Sequence, residues 1–182
     1  MQSPIPIPLP DRKRLRLEGY DYSQDGYYFV TACVEAKICC FGDIKDGKMV
    51  LNPYGQIVDT QWEWLGEQYP YVELDAFVVM PNHIHGILAI NTFHNVGDGR
   101  DHPPHLVSQL KIKPLPELMG AFKMTSSKLI HQSGLKSFLW QRSFYDHVVR
   151  DERALNRIRE YIHLNPMQWE FDRNYDGQDA PL

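Results

Sequence analysis

The 182-residue sequence has no uninterrupted apolar run near the roughly 18 residues that a membrane-spanning helix needs. Its opening stretch, MQSPIPIPLP, lacks the charged-then-apolar order of a secretory signal, so the expected location is the cytoplasm, with no membrane partner. Cysteine is scarce. Cys33, Cys39 and Cys40 are an odd number with one adjacent pair, which excludes both a disulfide framework and a CxxC metal knuckle and reads as reduced, partly buried thiols. An excess of basic charge is missing as well: 19 Lys and Arg against 23 Asp and Glu leave a net charge of -4, without the cationic footprint usual in a phosphate-binding protein. No internal repeat is present. What the chain does have is an ordinary globular composition, 43% hydrophobic and 23% charged, over a length that suits one domain.

The total charge hides a division. Residues 1–18 carry four basic and two acidic side chains, residues 19–106 four and twelve, and residues 107–173 eleven and seven. A basic arm and a basic C-terminal third therefore flank an acidic middle, the asymmetry of a protein with one cationic face. The arm itself, residues 1–11, has its prolines spaced against ladders and helices and is expected to be extended. Arg12, Lys13 and Arg14 follow it and open the domain expected over residues 12–173, with residues 174–182 as a tail.

The aromatic and β-branched run from Tyr27 to Val34 predicts a buried strand. Asp46-Gly47 between two short extended segments predicts a β-hairpin turn. Residues 54–68 place Ile57, Val58, Gln61, Trp62 and Leu65 at helical spacing, and the pattern stops before Pro70. Two strands, broken by Pro81-Asn82, follow at 72–80 and 83–90. Residues 91–113 carry neither period and read as a long surface loop. Helices are expected over 117–132 and from about Asp151 to Asn165. The mixture predicts an α+β fold, an antiparallel sheet covered by helices.

Two groups of residues can carry chemistry. On a strand, His83 and His85 point to one face and Ile84 to the other, so two imidazoles stand side by side. Such a pair suits a divalent metal that polarises a phosphoryl oxygen; two half-exposed strand histidines are the alternative. On the last helix, at about 100° per residue, Asn165 falls only about 40° from Tyr161, and the two sit one turn apart on one margin of the apolar stripe formed by Leu155, Ile158 and Ile162. A phenol there is either a nucleophile toward phosphorus or a packing anchor with its hydroxyl in water.

Taken in order along the chain, these pieces resemble a known family. The run Val78-Val79-Met80-Pro81-Asn82-His83-Ile84-His85-Gly86-Ile87 resembles the signature strand of the single-tyrosine HUH transposases of the insertion-sequence-200 kind, in which a hydrophobic residue separates two histidines. Trp140 to His147, Arg150-Asp151-Glu152 and Tyr161-Ile162-His163-Leu164-Asn165-Pro166 are similar to the C-terminal half of their REP-associated tyrosine transposase branch. Arg16-Leu17, Tyr20-Asp21-Tyr22 and Tyr28 to Thr31 extend the likeness over most of residues 12–171.

The resemblance implies a ferredoxin-like core that cleaves and rejoins single-stranded DNA bearing a hairpin. It implies Mg2+ or Mn2+ on His83, His85 and Asn165, with Tyr161 forming a 5'-phosphotyrosine and Tyr145 a non-nucleophilic aromatic. Lys123, Lys128, Arg142, Arg150, Arg157 and Arg159 are candidates for backbone contacts, together with Arg12, Lys13 and Arg14. The family's active sites are built in monomers or across homodimers, and both states are open for this chain. Two other functions compete: a hairpin-binding protein that does not cut, and a small phosphohydrolase of the histidine-triad kind. Ile87, where a third alternating histidine would stand, counts against the latter.

Overall fold

A computed structural model describes residues 17–92 and 111–175. The proline-rich arm with Arg12, Lys13 and Arg14, most of the 91–113 segment, and residues 176–182 lie outside the described residues.

The elements run in the order β1 (Gly26–Cys33), β2 (Gly42–Lys45), β3 (Lys48–Leu51), α1 (Pro53–Gln68), β4 (Val72–Met80), β5 (His83–Ile90), α2 (Leu115–Gln132), β6 (Tyr145–Val149) and α3 (Glu152–Leu164). A short 3-10 helix, Asn165–Phe171, continues α3. Without the β2–β3 hairpin, the order is β-α-β-β-α-β, and the main sheet pairs as β4-β5-β1-β6, antiparallel throughout. This is the ferredoxin-like arrangement. The hairpin is an insertion between β1 and α1, turned by Asp46 and Gly47, both at positive φ as a two-residue turn of this kind requires.

Local sequence explains the helix ends. Asn52 caps α1 by accepting hydrogen bonds from the amides of Tyr54 and Gly55, and Pro53 occupies the first turn, where no amide hydrogen is needed. Asp151 caps α3 through the amide of Ala154 at 2.8 Å. The helix expected from 117 begins two residues earlier, at Leu115.

Strand alternation sends the sheet's residues to two different cores. Tyr28, Val30, Ala32, Ile84 and Leu88 join Val58, Trp62 and Leu65 of α1 and Leu118, Met119 and Phe122 of α2 in the larger one. Phe29, Ile87 and Val149 face Leu155 and Ile162 of α3 in the smaller. A one-residue irregularity between Leu74 and Phe77 shifts the parity of β4, so Leu74 and Phe77 both reach the larger core while Ala76 and Val78 reach α3.

Gly86 joins the two layers. A Cβ there would lie 2.5 Å from Cζ2 of Trp62, so the missing side chain lets the indole lie against β5. Trp62 stacks on Phe77 with centroids 4.6 Å apart and planes 7° from parallel. The consequence for the rest of the molecule is orientational: β5 is clamped on its α1 side, and its other face, carrying His83, His85 and Ile87, meets α3.

Candidate active site

His83 and His85 are fully buried on the α3 side of β5, so they are not the half-exposed strand pair that the sequence left open. Their orientation follows from the register. Thr31 of β1 is the cross-strand partner of His85, and its Oγ1 lies 2.8 Å from Nδ1 of His85. Asn82, at the β4–β5 turn, donates from Nδ2 to the carbonyls of Lys37 and Asn174, which leaves its Oδ1 facing Nδ1 of His83 at 2.8 Å. An amide oxygen only accepts, so the proton of His83 is on Nδ1 and the lone pair is on Nε2. Nε2 of His83 and Nε2 of His85 converge at 3.0 Å. The Thr31 hydroxyl both donates and accepts, so His85 can present either an Nε2 proton or an Nε2 lone pair to that point. Burial outweighs the opposing pull of the Asp172 carboxylate and holds both imidazoles below the ordinary histidine range, His83 furthest, which keeps them neutral.

The third side of the site comes from α3 and the turn after it. Tyr161 and Asn165 do stand one turn apart on the margin facing the histidines. Oη of Tyr161 is 3.1 Å from Nε2 of His85, and its ring packs edge-on against Phe29. Asn165 is buried, and its Oδ1 has no hydrogen-bond partner among the described residues. The residue that joins them is Asp172, just past the 3-10 helix. Its Oδ2 accepts hydrogen bonds from Tyr161 Oη at 3.2 Å and Asn165 Nδ2 at 3.0 Å, and lies 3.7 Å from Nε2 of His85. Burial alone would raise its pKa, but the bonds from His85, Asn165 and the Asn174 amide outweigh this and hold the carboxyl well below its usual range. Tyr161 moves the other way: burial, then the adjacent Asp172 charge, push its phenol up to about 12.

Two neutral imidazole nitrogens, an ionised carboxylate and a buried amide oxygen without a partner form a donor set that fits a divalent cation. His83, His85 and Asp172 offer ligand atoms within 4.8 Å of one another. Asn82 and Thr31 fix the ring nitrogens that face away from that point, the outer hydrogen bonds that histidine ligands ordinarily make.

No protein-family model matches the chain. An uncharacterized protein of Haemophilus influenzae is 37% identical over 169 residues, 90% of this chain and 93% of that protein. A second Haemophilus influenzae protein, provisionally named a REP-associated tyrosine transposase, is 25% identical over 151 residues, 81% of this chain and 74% of that one. The chain is similar to REP-associated tyrosine transposases. A solved REP-associated tyrosine transposase bound to a REP hairpin shares the fold, with a TM-score of 0.53 and 20% identity over 87% of this chain and 74% of that one.

The basic residues that the sequence offers for DNA contacts are spread unevenly around the fold. Arg142, Arg150, Arg157 and Lys128 are exposed. Lys123 is turned inward, with Nζ donating to the carbonyls of Gln141 and Ser143. Arg159 forms a two-armed ion pair with Asp75, its Nε 2.9 Å from Oδ1. Tyr145 opens β6 with its ring 6.3 Å from that of Phe29 and the Arg173 guanidinium 5.2 Å over it. Asn174, assigned to the tail from sequence, is buried under Asn82, and among the described residues no helix is long and apolar enough to cross a membrane. Asp172 is the residue of this cluster that the sequence does not point to. It sits outside every periodic element, seven residues past Asn165, where spacing carries no signal.

Proposed function

We propose that this protein cleaves and rejoins single-stranded DNA carrying a hairpin, with Tyr161 as the nucleophile. The observation that carries the reading is the convergence of the Tyr161 hydroxyl, two neutral imidazoles and an ionised carboxylate at one point. His83 and His85, with Asp172 and Asn165 as oxygen donors, would hold Mg2+ or Mn2+, which when bound supplies Lewis-acid polarisation of the scissile phosphate.

The chain's own residues do the rest. At neutral pH the Tyr161 phenol is protonated, and Asp172 orients it through the 3.2 Å hydrogen bond. Oη attacks phosphorus, the P–O3' bond breaks, the phenolic proton passes by way of Asp172 to solvent, and the leaving 3'-oxygen takes a proton from solvent. The product is a 5'-phosphotyrosine and a free 3'-hydroxyl. Attack of another 3'-hydroxyl on the phosphotyrosine reverses the step and rejoins the strands without an outside energy source. Phe29, stacked on His85, packs edge-on against the phenol ring and limits the arc through which Oη swings.

Incubation with a 5'-tailed DNA hairpin and Mg2+ or Mn2+ is expected to give a covalent protein–DNA band on a denaturing gel. Hairpin binding without any band, across both metals and a range of hairpins, would replace this reading with that of a non-cleaving hairpin-binding protein.

A further inference from the structure

Strand register places a second tyrosine in the row of His85. Tyr145 of β6 is the cross-strand partner of Thr31, and Thr31 is in turn the partner of His85, so all three side chains leave the sheet on the α3 side. With neighbouring strands about 4.8 Å apart, Tyr145 stands roughly 10 Å from His85 along that row. Phe29 spans the gap: its ring stacks on His85 at 5.6 Å and meets Tyr145 and Tyr161 edge-on at 6.3 and 6.2 Å. Tyr145 is 38% exposed, and over its ring lies the guanidinium of Arg173, 5.2 Å from the centroid. Arg173 follows Asp172 directly, and its carbonyl accepts a hydrogen bond from Nζ of Lys37 at 2.9 Å.

Three other basic side chains are committed to the protein itself. Lys37 is turned to that carbonyl, Lys123 to the carbonyls of Gln141 and Ser143, and Arg159 to Asp75. The Arg173 side chain is exposed, and among the described residues no carboxylate or carbonyl takes its N–H donors. A guanidinium held by an aromatic face keeps its N–H fork for an oxyanion. Its charge reaches the nucleophile: burial pushes the Tyr161 phenol up, and Arg173 pulls the other way. Attack on phosphorus gathers negative charge on the non-bridging oxygens, and a fixed cation beside the nucleophile stabilises that state more than the starting phosphodiester. We propose that Arg173 is a catalytic residue whose guanidinium grips a non-bridging oxygen of the scissile phosphate as Tyr161 attacks, and that Tyr145 is the positioning residue that presents it. Arg173 donates hydrogen bonds and transfers no proton, so the proton path through Asp172 is unchanged. This role rests on the cleavage reading proposed above and gives the second tyrosine a function distinct from that of the nucleophile.

The test is single-turnover cleavage of a 5'-tailed DNA hairpin by the full chain with Mn2+, measured beside hairpin affinity and Mn2+ affinity. Arg173→Met is expected to lower the cleavage rate about 100-fold and to leave both affinities within about threefold, since the contact belongs to the transition state. Arg173→Lys, which keeps the charge without the fork, should fall between Arg173→Met and wild type. Tyr145→Leu should slow cleavage about tenfold, and Tyr145→Phe, which keeps the ring, should restore it. In the Arg173→Met background Tyr145→Leu should add nothing, because the ring acts only through the guanidinium. A covalent band formed by Arg173→Met at the wild-type rate would overturn this role and leave the cleavage reading standing. So would a fall in Mn2+ affinity that matches the fall in rate, which would show Arg173 acting only through the placement of Asp172. Losses that add in the double variant would overturn the part given to Tyr145. No strand cleavage and no covalent band from wild-type protein would overturn the cleavage reading and this role together.

Discussion

Oη of Tyr161 lies 3.1 Å from Nε2 of His85, across 76 positions of sequence. The contact exists because two separate devices aim at one point. Gly86 and Trp62 fix β5 from one face, and the apolar stripe of α3 seats the helix on the other. Each device can be tested on its own.

Gly86→Ala places a methyl group inside the Trp62 indole. Since the clash is with a ring already stacked on Phe77, relief requires the helix α1 to move, and a loss of stability of about 1–3 kcal/mol is expected. Denaturant unfolding measures it. An unchanged midpoint would show that the indole has room to shift.

Thr31→Val removes the hydroxyl that faces Nδ1 of His85 while keeping the β-branched shape. The ring loses its orienting partner, and divalent-metal affinity, read by calorimetry with Mn2+, should fall about 10–100-fold with the fold intact by circular dichroism. Asn82→Ala acts on His83 in the same way and in addition strips the carbonyls of Lys37 and Asn174 of their donor, so it should also cost about 1–3 kcal/mol of stability. Equal stability of the two variants would contradict the double role given to Asn82.

The Asp75–Arg159 pair ties α3 to β4 at the irregularity in that strand. The hydrogen bonds from Arg159, which outweigh partial burial, hold the Asp75 carboxyl below its usual value. A depressed carboxylate stabilises the fold fully above its unfolded pKa, and that contribution is lost as pH falls through the depressed value. The loss therefore belongs below about pH 4–5. With Arg159 40% exposed, solvent screening limits the effect, and Asp75→Asn should cost about 1 kcal/mol or less at pH 7. A midpoint difference between wild type and Asp75→Asn that persists undiminished to low pH would contradict the assignment.

Much of this architecture was legible in the sequence because it rests on periodicity. The strand at 83–90 and the last helix were readable from alternation and from the stripe of Leu155, Ile158 and Ile162, and the angle between Tyr161 and Asn165 put both on the correct margin. The histidines' complete burial was not legible, since it depends on α3 and the 3-10 helix folding back over β5, a tertiary event with no local signature. Asp172 escaped for the same reason. Its role comes from the turn after the 3-10 helix, which returns the chain to Tyr161 and Asn165, and no spacing rule encodes that return. The long-range pairing of Lys123 with carbonyls near Ser143 likewise turns a residue that sits on the outer face of a helical wheel toward the protein.

The most direct measurement is the identity of the residue that becomes attached to DNA. Wild-type protein is incubated with a 5'-tailed hairpin and Mn2+, the covalent product is digested with protease and nuclease, and the modified peptide is sequenced by mass spectrometry. The account predicts a nucleotide 5'-phosphate on Tyr161 and no covalent product from Tyr161→Phe. A product on Tyr145, or one that survives Tyr161→Phe, would contradict it.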